Sequence, residues 1–129
     1  MPKVRIGKMS ALALILISIS LGVLGQLSLK RGMTNVGFIS VGELLTSKLY
    51  SVFAEKFVLM GLFFYFLASG LWLVVLSQEE LSFAYPLIGL GYIITAVLAK
   101  FFFNENLTLF RLAGILLIAA GAYLIILKI

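Results

Sequence analysis

Four apolar runs, at residues 11–29, 57–77, 82–103 and 109–127, leave this chain little freedom in how it can fold. Each is long enough to cross a hydrocarbon core about 30 Å thick, which takes about 20 helical residues. In hydrocarbon a backbone N–H or C=O finds no water, so each run is expected to close its own hydrogen bonds as an α-helix. Composition agrees: 63% of residues are hydrophobic, 12% are charged and the mean hydropathy is +1.20. Soluble domains average about 45–50% apolar and about 25% charged. The expected fold is an all-α integral membrane protein, four transmembrane helices in an antiparallel bundle, with residues 1–129 forming one membrane domain.

Lys3, Arg5 and Lys8 ahead of the first run resemble the start of a secretory signal. A signal core, however, is about 7–15 apolar residues ending at a small-residue cleavage site. This run continues through Gly25, Gln26 and Leu29 without one, and is read as the first span. The chain has no Cys and no His, so thiol nucleophiles, thiolate or imidazole metal ligands and the commonest general base are all missing. Neither enzymatic activity nor a cofactor or metal is expected. The net charge of +5 comes from residues near the helix ends, where it meets lipid headgroups. Without a basic stripe interleaved with aromatics, no nucleic-acid partner is expected.

Only the connection from Lys30 to Lys56 is long. Within it, Val41, Leu45, Leu49 and Val52 share one helical face, with Glu43, Ser47 and Ser51 opposite. That pattern predicts either a short amphipathic helix at the interface or an extension of the second span. Short turns at residues 78–81 and 104–108 predict two antiparallel hairpins, spans two with three and three with four. Both termini and the Glu79-Glu80 turn then share one side. Lys3, Arg5, Lys8 and Lys128 on that side face Lys30, Arg31, Lys48, Lys56, Lys100 and Arg111 on the other. A bias this slight leaves the orientation undecided by the positive-inside rule.

No ionisable residue lies at mid-depth in any run, although such residues mark most proton-coupled sites in membranes. What the spans offer is small and neutral. At 100° per residue, Ser18, Gly22, Gly25 and Leu29 form one stripe of the first span, with Gln26 at its edge. Glycine and serine there either let helices approach closely or face a cavity, and Gln26 either bridges helices or lines that cavity. In the third span Tyr85, Gly89, Tyr92, Ala96 and Lys100 share a face, with Pro86 bending its first turns or serving as an early helix position. Tyr85 and Trp72 each read as a membrane-packing or interfacial aromatic or as a cavity wall. Lys100 reads as a snorkelling cation or a ligand contact. On the fourth span, Gly114 and Gly121 stand two turns apart with Leu117 and Ile118 between them, a close-approach face for a second chain or for the third span.

These residues together resemble the drug/metabolite transporter superfamily, in particular its single-unit four-helix members related to the small multidrug resistance proteins. The likeness runs through Gly25-Gln26-Leu27-Ser28-Leu29-Lys30, Leu81-Ser82-Phe83-Ala84-Tyr85-Pro86-Leu87, Phe103-Asn104-Glu105-Asn106-Leu107-Thr108 and the Gly114 to Gly121 stretch. Aligned with the multidrug pattern, Gly22 stands where those transporters have their essential glutamate and Ile88 where they have a substrate-stacking tryptophan. The Gly-Gln and Ala-Tyr-Pro pattern without a membrane glutamate is instead similar to the small flippase subunits that move undecaprenyl-phosphate-linked aminoarabinose across the inner membrane.

That resemblance implies a transporter of a polar or lipid-linked solute, most of all a polyprenyl-phosphate sugar, working as a homodimer or as a heterodimer with a similar four-helix chain. Substrate contacts are expected from Ser18, Gly22, Gln26, Lys30, Trp72, Tyr85, Tyr92, Lys100 and Arg111, and a dimer face from Gly114, Ile118 and Gly121. Two other readings are a small multidrug or metabolite exporter, and a non-transporting membrane subunit that stabilises a partner.

Overall fold

The computed structural model describes residues 7–127; Lys3, Arg5, Lys128 and the side chain of Lys8, counted above for orientation, lie outside that description. Helix α1 spans Lys8–Val36. Two short helices follow, α2 (Val41–Leu45) and α3 (Leu49–Phe53), and then α4 (Lys56–Gln78). The third span is α5 (Leu81–Ala84), a 3-10 segment (Tyr85–Ile88) and α6 (Gly89–Phe103), and the fourth is α7 (Leu109–Leu127). Four of these stretches are long and apolar enough to cross a membrane.

The first helix outruns its apolar stretch by seven residues, ending at Val36 rather than Leu29. At about 1.5 Å per residue its 29 residues measure roughly 43 Å, so its last turns stand in the headgroup region. Gly37 ends it with φ 96°, a backbone geometry that glycine adopts without strain.

Those last turns are fastened to the start of α4. The Glu55 carboxylate accepts the N–H groups of Phe57 (2.7 Å) and Val58 (3.0 Å), capping α4, and accepts the Asn35 side-chain amide of α1 at 3.1 Å. Partial desolvation pushes this carboxyl up, but the Asn35 amide, the Val58 and Phe57 N–H groups and the Lys56 ammonium outweigh it and hold it below its ordinary value of 4.5. A group with a depressed folded-state value contributes stability above its unfolded value and loses it as pH falls through the folded one. Thermal stability of the solubilised protein should therefore fall as pH drops through and below the usual glutamate range. Glu55→Gln should be less stable at neutral pH and should lose part of that acid sensitivity; identical melting profiles against pH for parent and variant would count against the clamp.

The interfacial stretch is two short helices rather than one. Ser40 and Glu43 form a reciprocal capping box that starts α2, and the Thr46 hydroxyl bonds back to the Gly42 carbonyl at 2.6 Å. Lys48 N–H closes on the Glu43 carbonyl at 2.7 Å, turning the chain before α3. Of the expected apolar face only Val52 is buried; Val41, Leu45 and Leu49 are exposed. Nor is the stretch an extension of the second span, because Ala54 and Glu55 separate α3 from α4.

Packing bears out the expected hairpin of spans three and four but departs from that of spans two and three. Helix α1 lies along α4 and also against α6, α7 packs on α6 and the 3-10 segment, and α4 meets the third span chiefly at its first turn, α5. Spans two and three are thus joined at the Glu79-Glu80 turn but do not pack along their length, and α1 stands between them.

Glycines set the close approaches. A Cβ on Gly61 of α4 would come within 2.8 Å of the Gly25 carbonyl of α1, and one on Gly25 within 3.1 Å of the Gly61 carbonyl. In the third span the pair of glycines serves two neighbours: Gly91 admits Ile19 of α1 and Gly89 admits Ile118 of α7, each filling the place of a Cβ at 2.8 Å. Pro86 cannot donate a backbone hydrogen bond, and the turn it starts tightens into the 3-10 segment between α5 and α6. Buried Ile15, Ile19, Val23, Val75, Ala84, Leu87 and Ala122 form the core, mostly where α1 meets the start of the third span.

Candidate functional site

Because α4 and the third span sit on either side of α1 without closing on each other, a cavity of about 530 Å³ opens among them. It is lined from α1 by Ser18, Ile19, Gly22, Val23 and Gln26, and from α4 by Tyr65, Ala68, Ser69 and Trp72. Ile88, Gly91, Tyr92 and Thr95 line it from the third span. This volume lies in the range of small-molecule sites, roughly 300–1,000 Å³.

The polar stripe of α1 divides along its length. Its Gly25 edge packs on α4, where a Cβ would meet the Tyr65 ring at 2.9 Å, while at Gly22 a Cβ would meet nothing within 4 Å. Gly22 and Gln26 open into the cavity, and the Gln26 amide donates to the Tyr65 hydroxyl across it. Ser18 is 6% exposed and its hydroxyl is committed, donating to the Ala68 carbonyl at 3.0 Å. It holds α1 to α4 at the cavity wall and has no hydroxyl proton to offer a ligand.

Trp72 lines the cavity and meets Tyr85 edge-on, with ring centroids 6.5 Å apart and planes at 64°. Tyr85 is 61% exposed and stands beside Trp72 rather than among the lining residues. The third-span stripe is divided too: Tyr92 faces the cavity, whereas Gly89 on the same stripe is filled by Ile118 of α7.

Lys30, Lys100 and Arg111 do not line the cavity. Lys30 follows Gln26 by four residues, about 6 Å further toward the long-loop end of α1 and on nearly the same side of the helix. Arg111 starts α7, its N–H accepted by the Thr108 hydroxyl at 3.2 Å, and its guanidinium donates to the Asn106 carbonyl at 3.0 Å. Two other cations gather at this end: the Arg31 guanidinium lies 6.0 Å and the Lys56 ammonium 5.2 Å from the centre of the Phe57 ring.

Five of the nine expected contact residues therefore surround one cavity: Ser18, Gly22, Gln26, Trp72 and Tyr92. Sequence reading passed over Tyr65, Ser69 and Thr95. The signal was present: Tyr65, Ser69 and Trp72, spaced by four and three, put two hydroxyls and an indole on one face of an otherwise apolar helix.

On α7, a Cβ at Gly114 or Gly121 would meet nothing within 4 Å, so these glycines do not serve packing within the chain. Ile118, between them, does: it fills the notch at Gly89, though it remains 37% exposed.

No protein-family model and no solved structure matches the chain. Named proteins do. The "Probable 4-amino-4-deoxy-L-arabinose-phosphoundecaprenol flippase subunit ArnF" of Photorhabdus laumondii subsp. laumondii is 36% identical over 118 residues, 85% of this chain and 91% of that protein. The ArnF counterpart from Sodalis glossinidius is 35% identical over 114 residues, 85% of each. A subunit named ArnE from Pseudomonas paraeruginosa is 39% identical over 54 residues, covering 42% of this chain and 47% of that protein. The likeness to ArnF covers 85% of the chain, and with it the chain belongs to the family of 4-amino-4-deoxy-L-arabinose-phosphoundecaprenol flippase subunits.

Proposed function

We propose that this chain is a subunit of a flippase that carries a polyprenyl-phosphate-linked sugar across the inner membrane, and not an enzyme, with residues 1–129 acting as one transport unit. The observation that carries the reading is an uncharged, largely apolar cavity with a few amide and hydroxyl groups in its wall, flanked by two spans that do not pack together. Such a gap suits an amphipathic cargo. The sugar can enter among Gln26, Tyr65, Ser69, Tyr92 and Thr95, while the prenyl tail stays among the lipids and never has to enter protein. Trp72 offers the flat face on which sugar rings commonly rest.

Lys30, one turn beyond Gln26, is the first cation that a phosphate at the cavity's long-loop end would meet, with Lys100 and Arg111 at the same end of the bundle. Replacing Lys30 by Gln should weaken binding of a short-chain polyprenyl-phosphate sugar by about tenfold or more, the usual worth of a charge-assisted hydrogen bond. Lys100→Gln should act less, because its stripe runs toward α7 at Gly89. Arg111→Gln should act least, since its guanidinium already bonds the turn. Parental affinity in all three variants would remove the phosphate assignment.

A second four-helix chain, a copy of this one or a relative such as an ArnE-like subunit, is the partner that the outer face of α7 would accept. Leucine at Gly114 or Gly121 fills space that is open within the chain, so either variant should keep the parental melting temperature yet lose crosslinking to its partner. Undiminished crosslinking in both would move the interface to another face.

A further inference from the structure

The connection between the first and second spans carries four basic residues, Lys30, Arg31, Lys48 and Lys56, and two acidic ones, Glu43 and Glu55. Both carboxylates are turned to the backbone. Glu43 accepts the Ser40 N–H at 3.3 Å in the capping box of α2, and Glu55 caps α4 and holds Asn35. Two of the cations nonetheless converge: Arg31 of α1 and Lys56 of α4 both lie against the ring of Phe57, 6.0 and 5.2 Å from its centre. The ring attracts each cation, but the two repel each other. Among the described residues neither one has an ion-pair partner or an acceptor for its hydrogen bonds. The guanidinium and ammonium donors are therefore left for an acceptor outside the chain.

Depth and direction say what that acceptor is. Arg31 lies just beyond Leu29, where the apolar run of the first span ends, and Lys56 is the first residue of α4, so both stand at the level of the lipid head groups. Arg31 follows Gly22 by nine residues, two and a half turns at 100° per residue, and so projects from the face of α1 turned away from the cavity. Neither Arg31, Lys56 nor Phe57 lines that cavity. Leu24 and Ile17, seven and fourteen residues before Arg31 and on nearly the same line of α1, are exposed, as is Met60 one turn past Phe57 on α4. A cationic corner thus stands above an apolar track on the outer side of the α1–α4 pair, which matches a lipid and not a free anion.

We infer that Arg31 and Lys56 bind the head group of an anionic glycerophospholipid of the surrounding bilayer, which bridges α1 and α4 from their lipid-facing side. The phosphodiester takes the planar fork of Arg31 and the ammonium of Lys56, and its negative charge relieves their repulsion. Its acyl chains lie along Leu24 and Ile17 of α1 and Met60 of α4. A zwitterionic lipid is disfavoured because its own ammonium answers its phosphate and is repelled by the corner. The bound lipid is a structural ligand and not cargo, so the site is independent of what the cavity carries. It closes the same end of the α1–α4 pair that Glu55 and Asn35 fasten.

The test titrates the full chain, freed of lipid in a neutral detergent, with phosphatidylglycerol and phosphatidylcholine of identical acyl chains, and reads the first lipid bound by native mass spectrometry. The parent should favour phosphatidylglycerol by about tenfold or more, since each basic residue near an anionic head group accounts for about fivefold. Arg31→Gln and Lys56→Gln should each lower that preference about fivefold, while Arg31→Lys, which keeps the charge, should retain most of it. Lys48→Gln removes the same charge from the same connection and should leave the preference as it was. Should Lys56→Gln fail to fold, because Lys56 also steadies Glu55, Arg31→Gln against Lys48→Gln decides the matter alone. A large excess of inorganic phosphate should leave the bound phosphatidylglycerol in place. Equal binding of the two lipids by the parent, or an equal loss of preference in the Arg31→Gln and Lys48→Gln variants, would overturn the site. Displacement by inorganic phosphate would overturn the lipid as its occupant.

Discussion

Leucine in place of Gly61 is expected to prise α1 from α4 and leave little properly folded protein. The new side chain would begin 2.8 Å from the Gly25 carbonyl and 2.7 Å from the Leu29 side chain. A side-chain tip could swing aside, but a carbonyl in the middle of a helix moves only if the helix moves. Overpacking in well-packed interiors costs about 1–3 kcal/mol, and a clash with backbone belongs at or above the top of that range. The effect should be larger still because α1 and α4 share the most extensive contact in the molecule. Gly70 supplies the control. It lies on the same helix, yet a Cβ there would meet nothing within 4 Å, so Gly70→Leu should melt close to the parent. Size-exclusion profiles and thermal melts in one detergent decide the matter. Equal melting of parent and Gly61→Leu would mean that the two helices do not meet at these glycines.

Tryptophan at Gly22 should do the opposite, sparing the fold while abolishing the site. A Cβ at this position meets open space, and that space is the cavity. An indole placed there enters the cavity, and its first atom has no backbone to displace. Affinity for a short-chain polyprenyl-phosphate sugar should fall by about a hundredfold, or ~2.7 kcal/mol, with melting temperature close to the parent's. Binding and melting separate the possibilities: a variant that melts normally and still binds would show that cargo does not use this cavity. Taken with Gly61→Leu, the experiment assigns two glycines of similar sequence context to two physical roles, one a contact between helices and one a vacancy for cargo.

Much of the molecule could be read from the chain because the features concerned are local. The length of an apolar run, the lack of charge within it and the position of short polar turns fix where spans begin and end. The errors were local too. Val36 rather than Leu29 ends the first helix because Lys30, Arg31, Thr34 and Asn35 are compatible with helix in the headgroup region, and hydropathy does not register a helix that has left the hydrocarbon. The interfacial stretch broke in two because the Thr46 hydroxyl and the Glu43 carbonyl satisfy backbone groups locally in a turn, a competition invisible to the apolar periodicity of Val41, Leu45, Leu49 and Val52.

By itself the sequence determined that there are four spans, that no charge stands at mid-depth and that small polar residues concentrate on one side of the first span. It did not determine what those stripes face. In water the apolar side of a helix is its buried side, but lipid is as apolar as a protein interior, so hydropathy does not mark which face of a span meets a neighbour. Only the tertiary structure decided that Gly25 touches α4 while Gly22, three residues earlier, faces the cavity. Only there does Tyr65 meet Gln26 across 39 residues of chain, and only there do Gly89 and Gly91, two residues apart, receive side chains from two different helices. Rotation of each helix about its axis follows from where small residues on one span find bulk on another, a relation between distant parts of the chain that no single run contains.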